Sequence, residues 1–158
     1  MTLYKVECNP DVALVVSLTS VSKRNVMHHN GKTEILRKLL RGRDFVGVID
    51  RDPASIQPIH FFQYFQRVSL SENDGIEVMH HRAGHNRLII IYPRLEEWII
   101  ESARRINVQL QDYNLSSHGN ELKAEINHKI NRFEELLDDL KVSSPRLRAL
   151  RTRLIEPF

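Results

Sequence analysis

The hydrophobic pattern alternates between two kinds of segment over the N-terminal two thirds of the chain. Short, nearly continuous apolar runs bounded by turn residues predict buried strands, whereas apolar residues spaced three and four apart predict amphipathic helices. The pattern predicts strands over Leu3–Glu7, Arg24–His28, Phe45–Ile49, Ile76–His80 and Leu88–Tyr92. It predicts helices over Val12–Leu18, Lys32–Arg41 and Leu95–Ile106, and one more helix in the aromatic-rich segment His60–Val68.

The character of the chain changes after Asn107, where polar and charged residues become dominant. A polar loop, NLSSHGN, precedes a charged segment, Glu121–Lys141, whose apolar residues form one helical stripe. Ser144 and Pro145 begin a last, basic helix. We therefore predict a helical extension over residues 108–158 that packs on the rest of the chain or, as an exposed helical pair, forms a homodimer.

The order of these elements predicts an α/β fold. Strands and helices alternate over residues 1–50, with spacings that suit right-handed crossovers between parallel strands. We expect a Rossmann-like arrangement over residues 1–107, with a small, mostly parallel sheet flanked by helices and followed by the helical extension. A chain of 158 residues is long enough for one domain with a substantial core.

Composition indicates the class of protein and its cellular compartment, but it does not identify a partner. The hydrophobic fraction of 41% and the charged fraction of 27% are ordinary for a globular protein, and a net charge of +3 does not by itself demand a nucleic acid. Cys8 is the only cysteine, which excludes an internal disulfide and fits a reducing compartment. No signal peptide or long apolar run is visible, so we expect a cytoplasmic protein without membrane contact.

Three acidic residues fall at the ends of two predicted strands. Glu7 ends the first strand, and Asp50 and Asp52 follow the third. In an α/β sheet the carboxyl ends of the strands line the ligand crevice, so neighbouring strands would bring these carboxylates together. Converging carboxylates repel one another unless a cation neutralises them, and hard oxygen ligands suit Mg²⁺ or Mn²⁺. The three acids therefore form a candidate metal site for phosphoryl-transfer chemistry.

The D-x-D pair also has a simpler interpretation. Asp-x-Asp-Pro is good turn chemistry at the exit of a strand, and Arg51 could pair locally with either aspartate. An isolated D-x-D motif does not distinguish a metal site from a turn. The order of the segments that precede the motif changes the balance between the two interpretations.

Three ordered segments resemble Toprim domains, the topoisomerase–primase catalytic module. YKVECNPDVALVVSL is similar to the opening strand, glutamate and helix of that module, and HHNGKTEILRKLL resembles its second turn and helix. FVGVIDRDP resembles its D-x-D strand, especially in small Toprim-like proteins related to overcoming-lysogenization-defect nucleases. The resemblance covers residues 1 to 100, approximately. It implies a Toprim-type fold and a Mg²⁺- or Mn²⁺-dependent nuclease or phosphotransfer protein that acts on phosphodiesters of DNA or RNA.

The resemblance also implies roles for individual residues. Glu7 would be the general acid–base glutamate, and Asp50 and Asp52 would hold the metal ion. Glu96 or Glu97, in the segment YPRLEEWI, would supply a further acid.

Two positions depart from the Toprim pattern. Cys8 follows the glutamate where Toprim proteins usually have glycine, and Ser55 stands where a third acid is often found. These departures keep two alternatives open. One is a Toprim-like binding or regulatory protein that has lost the chemistry, and the other is an unrelated α/β interaction protein.

Basic residues supply candidate contacts for an anionic substrate. Lys32, in a Gly-Lys turn at the start of a predicted helix, could hold a phosphate near the acids. In the last helix, Arg146, Arg148 and Arg151 could contact a nucleic-acid backbone, and a solvated helix face fits them equally well.

Overall fold

A six-stranded sheet with helices on both faces organises the protein. The computed structural model describes residues 1–55 and 57–158. The strands are β1 (Leu3–Val6), β2 (Val26–His28), β3 (Phe45–Asp50), β4 (Phe65–Ser71), β5 (Ile76–His81) and β6 (Arg87–Ile91). The helices are α1 (Asn9–Thr19), α2 (Lys32–Arg41), α3 (Leu95–Arg105), α4 (Gly119–Glu125), α5 (Ile130–Ser143) and α6 (Pro145–Ile155).

The strand order β2-β1-β3-β6-β5-β4 creates a switch point in the sheet. β2, β1, β3 and β6 run parallel, and β5 and β4 continue the sheet antiparallel beyond β6. The chain passes from β1 through α1 to β2, then returns through α2 to β3 on the other side of β1. Ligands of α/β proteins bind outside the carboxyl ends of strands at such a reversal. The predicted α/β class is confirmed, and the mostly parallel sheet carries an antiparallel hairpin at one edge.

Alternating side chains of the central strands divide the core into two layers. In β6, Ile89 and Ile91 pack in the layer that contains α1, α3, α5 and α6, whereas Leu88 and Ile90 pack in the layer that contains α2. Every residue of β6 is buried, as expected for an apolar central strand covered on both faces. Because α5 and α6 belong to the same apolar cluster as α1, residues 108–158 share the core of the sheet.

Two segments differ from the elements that the sequence predicts. The segment His60–Val68 is not a single helix: a short 3₁₀ helix, Ile59–Tyr64, leads into β4. From Phe65 onward the chain pairs with β5, with Phe65 opposite His81, and this pairing outweighs a weak helical pattern. The predicted helix Glu121–Lys141 is divided into α4, a 3₁₀ turn at Ile126–Lys129, and α5. None of the helices within the described ranges has the length and apolar character needed to cross a membrane.

Candidate functional site

The carboxyl ends of β1 and β3 bring two of the predicted acids together. Lys32, the first residue of α2, lies between them, with its Nζ 3.1 Å from Asp50 Oδ1 and 4.0 Å from Glu7 Oε2. The Lys32 side chain is only 5% exposed. Because one ammonium group reaches both carboxylates, Glu7 and Asp50 lie on the same side of the sheet edge. We call these three residues the Lys32 cluster.

Asp50 is held in place by its own turn and by a neighbouring helix. Its Oδ1 accepts a hydrogen bond from the N–H of Asp52 at 3.2 Å, and its Oδ2 accepts one from the N–H of Leu95 at 3.3 Å. Leu95 is the first residue of α3, so the positive end of that helix dipole faces the carboxylate. Together with Lys32, these contacts fix the orientation of Asp50 at the end of β3.

Glu7 is the acid best suited to proton transfer. Burial raises the pKa of its carboxyl to about 7, an effect that Lys32 opposes and the charge of Asp50 reinforces. A carboxyl that titrates near neutral pH can both accept and donate a proton. Burial also raises the pKa of Glu96, in the first turn of α3, and Asp50 adds to that shift. Glu7 and Glu96 therefore retain protons more readily than free carboxyls do.

Asp11 organises the turn between β1 and α1, a role that the sequence analysis did not assign to the site. Its Oδ2 accepts hydrogen bonds from the N–H of Glu7 at 3.3 Å, the N–H of Cys8 at 3.2 Å and the Cys8 thiol at 3.2 Å. Burial raises the pKa of the Asp11 carboxyl to about 7, and the charge of Glu7 contributes to the shift. Burial also raises the pKa of the Cys8 thiol, so Cys8 is a hydrogen-bond donor rather than a nucleophile.

Asp52 engages a different cation from Asp50. Its Oδ1 accepts a hydrogen bond from the N–H of Ala54 at 2.9 Å, and its Oδ2 lies 3.2 Å from Nζ of Lys123 in α4. Burial raises the pKa of Asp52, but the hydrogen bonds from Ala54 and Lys123 outweigh burial and leave the pKa below its ordinary value. The D-x-D pair is thus divided between two lysines, and Lys123 is a site residue that the sequence analysis missed.

Ser55 and Glu97 occupy the periphery of the site. Ser55 Oγ accepts a hydrogen bond from Lys32 Nζ at 2.6 Å and donates one to the carbonyl of Asp52 at 3.0 Å, so it ties the loop after β3 to the Lys32 cluster. Glu97 pairs with Arg94, whose Nη2 also donates to Asn120 of α4 at 2.8 Å. Glu96, rather than Glu97, is therefore the acid of this helix that responds electrostatically to Asp50.

The fold engages the three α6 arginines predicted as nucleic-acid contacts to different degrees. Arg146 is buried, and its guanidinium donates to the carbonyls of Asp74 and Trp98. Arg148 and Arg151 are exposed, although each donates to a main-chain carbonyl, that of Val142 and of Leu18 respectively. The structure brings none of the three into contact with the Lys32 cluster. A nucleic-acid contact stays a prediction for Arg148 and Arg151, and the position of Arg146 favours a packing role.

The donor chemistry at the switch point suits a hard divalent cation. Over residues 1–55 and 57–158, no three His, Cys, Asp or Glu side chains are grouped so that they could hold a metal ion. Mg²⁺, however, commonly binds one or two carboxylates and completes its shell with water and substrate phosphates. Glu7 and Asp50 supply two such carboxylates within 4.0 Å of one positive charge. The residues present fit Mg²⁺ or Mn²⁺ in donor type, with the Lys32 ammonium as the competing cation.

A second charged cluster surrounds Glu77 of β5, whose side chain is fully buried. Its carboxylate accepts hydrogen bonds from Arg67, from Arg51 at 3.5 Å and from the Tyr92 hydroxyl at 2.8 Å. The Arg51 guanidinium also lies over the Phe62 ring, 4.3 Å from its centroid. Arg51 therefore pairs with Glu77 and not with the aspartates on either side of it. We call Glu77, Arg51, Arg67 and Tyr92 the Glu77 cluster.

Comparison with known proteins finds no matching family model, no matching curated protein and no matching solved structure. The function must therefore be inferred from the residues and geometry of the chain itself.

Proposed function

We propose that the protein is a Toprim-like, metal-dependent nuclease or phosphotransfer protein that acts on phosphodiester bonds of DNA or RNA. The observation that carries this proposal is the convergence of Glu7 and Asp50 on one cation at the β1–β3 switch point. The order of elements supports it as well, because the three segments that resemble Toprim domains fall on β1 and α1, on the start of α2, and on β3. If Glu7 and Asp50 only terminated their strands, nothing would require both carboxylates to lie near the same ammonium group.

Asp50 is the residue that would hold Mg²⁺ or Mn²⁺, and Glu7 and Asp52 are the neighbouring carboxylates that could add oxygens. When bound, the ion would supply positive charge to a phosphoryl group during its transfer. Lys32 lies close enough to contact a phosphate oxygen at the same place, because its ammonium already occupies the centre of the site. The carboxylates alone would repel an anionic substrate, and the positive charge of Lys32 would offset that repulsion.

Glu7 would handle the proton in this reaction. As water attacks phosphorus, a new P–O bond forms, the P–O bond to the leaving strand end breaks, and the water must lose a proton. A carboxylate with a pKa of about 7 is present in its basic form in a substantial fraction of molecules at neutral pH and can take that proton. The buried hydrogen bonds from Glu7 and Cys8 to Asp11 keep the backbone of this turn in place.

Cleavage of labelled single-stranded and double-stranded DNA and RNA with Mg²⁺ or Mn²⁺ tests the proposal. Asp50→Ala should lower the metal-dependent rate by at least about 10- to 100-fold, since loss of a metal-holding group costs no less than loss of a residue that supports one. Asp138→Ala is the matched control, because that carboxylate is 61% exposed and pairs with Lys141. Metal-dependent cleavage that survives Asp50→Ala unchanged would contradict the proposed site.

A second candidate is a Toprim-like binding or regulatory protein without catalysis. It is favoured by the division of the D-x-D pair between Lys32 and Lys123, which neutralises both aspartates without a metal. On this alternative the wild-type protein binds a nucleic acid and cleaves none of the substrates with either metal. Cleavage by the wild type that Asp50→Ala abolishes would identify an enzyme. Nucleic-acid binding by the wild type without cleavage would identify a regulatory protein.

A further inference from the structure

Lys123 connects the helical extension to the D-x-D turn. It lies in α4, yet its Nζ is 3.2 Å from Asp52 Oδ2, across 71 positions of sequence. The Lys123 side chain is 55% exposed, whereas that of Asp52 is 8% exposed. The Lys123 side chain therefore stands at the rim of the site, where solvent reaches it.

The ion pair contributes little to folding. Pairs with one solvent-exposed partner typically stabilise a protein by about 0–1 kcal/mol, because solvent screens them and ordering a long side chain costs entropy. Asp52 also has a second partner in the N–H of Ala54, which binds Oδ1, so only Oδ2 depends on the lysine. A structural role alone gives no strong reason for a lysine at this position.

We propose that Lys123 is a substrate-contacting residue that binds a backbone phosphate next to the reacting one. This inference rests on the proposed function. A divalent cation that shares the charge of Asp52 weakens the hold of that carboxylate on Lys123. The ammonium then takes the nearest phosphate as its counter-charge, and a lysine is well suited to such a point-charge contact.

The two lysines indicate the size of the substrate. Lys32 is nearly inaccessible and can reach only a group that has entered the Lys32 cluster. Lys123 is accessible at the rim and can reach a neighbouring group that stays outside. A substrate that uses both lysines carries successive phosphates, which a nucleic-acid strand offers and a mononucleoside monophosphate does not. The geometry therefore points to a substrate with at least two phosphates, and the proposed phosphodiester chemistry makes that substrate a nucleic-acid strand.

The salt dependence of binding tests this role. Fluorescence anisotropy with labelled DNA, as duplex and as single strand, would be measured over a KCl series with Ca²⁺ in place of Mg²⁺ to limit cleavage. Lys123→Gln should lower the slope of log K against log salt by about 0.9 for duplex or 0.7 for single strand. If the variant and the wild type bind equally at about 1 M salt, this difference in slope makes the variant roughly five- to eightfold weaker at about 0.1 M salt. Lys123→Arg keeps the charge and should stay close to the wild type.

Lys129→Gln is the matched control. Lys129 follows α4, and its Nζ contacts Glu125 and the carbonyl of Asn114 instead of the D-x-D turn. An unchanged slope for Lys123→Gln, or an equal loss in Lys129→Gln, would overturn the role of Lys123 and leave the proposed function standing. Failure of the wild-type protein to bind either DNA or the corresponding RNA would overturn both. Loss of thermal stability in Lys123→Gln without a change of slope would identify a purely structural ion pair.

Discussion

The Glu77 cluster and the Lys32 cluster solve the problem of a buried charge in opposite ways. In the Glu77 cluster, one fully buried carboxylate receives two guanidinium groups and a phenol. In the Lys32 cluster, one buried ammonium serves two carboxylates, one of them at 4.0 Å. The Glu77 cluster thus has three donor groups for one carboxylate, whereas the Lys32 cluster has one cation for two carboxylates.

This difference separates a structural group from a reactive one. A buried charged group whose hydrogen bonds are all made to protein partners offers no position for a ligand. A carboxylate with incomplete compensation has its pKa raised by burial, as Glu7 does, and gains from any additional cation. The Glu77 cluster therefore holds the base of the D-x-D turn through Arg51, and the Lys32 cluster is the place where chemistry is expected.

Breaking the Glu77 cluster should give the largest loss of stability. Glu77→Ala removes the shared acceptor and leaves the partly buried Arg51 guanidinium without its carboxylate, which should lower the free energy of unfolding by about 4 kcal/mol. Urea denaturation followed by circular dichroism measures the change. Glu72→Ala is the control, since Glu72 is exposed in the turn between β4 and β5 and should change stability by less than about 0.5 kcal/mol. Equal effects of the two substitutions would contradict the structural role of Glu77.

Much of the fold could be predicted from the sequence, because strands and helices that bury one continuous surface have clear periodicity. The apolar run of β3 and the stripe of α2 are examples, and the same alternation put Glu7 and Asp50 at neighbouring strand ends. The pairing of charges could not be predicted in this way. Arg51 reaches Glu77, 26 positions along the chain, and Lys123 reaches Asp52 across 71, so tertiary packing alone decides which partners they meet. Strand alternation offered a signal for Arg51, since its side chain must leave the face used by Asp50.

Removing the cation of the Lys32 cluster should destabilise the protein somewhat less. Lys32→Gln leaves Glu7 and Asp50 without their shared cation, at a cost of about 3 kcal/mol at pH 8. Lys38→Gln, on the exposed face of the same helix, should have little effect.

The same Lys32→Gln variant sharpens the comparison through its response to Mg²⁺. Since the ammonium no longer competes for the acids, Mg²⁺ should raise the melting temperature of Lys32→Gln by more than that of the wild type. Differential scanning fluorimetry over a Mg²⁺ titration, with EDTA as the baseline, measures the shift. An equal or smaller shift in the variant would show that Lys32 and a divalent cation do not share one position.

The last of these effects depends on pH and comes from Glu7. Its folded-state pKa of about 7 lies above the value of 4.5 expected in the unfolded chain, so the folded protein holds this proton more tightly. The stability associated with protonated Glu7 is present below pH 4.5 and is lost as the pH rises through 7. Glu7→Gln keeps the shape without the charge, so it should avoid that loss.

In EDTA, Glu7→Gln should therefore exceed the wild type in unfolding free energy by up to about 3 kcal/mol at pH 8 and match it near pH 4. Urea denaturation at the two pH values gives the difference. Added Mg²⁺ should narrow the gap at pH 8, because a cation favours the ionised carboxylate that only the wild type has. A gap of the same size at both pH values would mean that Glu7 is not a titrating acid of the Lys32 cluster. A gap that Mg²⁺ leaves unchanged would separate Glu7 from the metal while keeping its role in proton transfer.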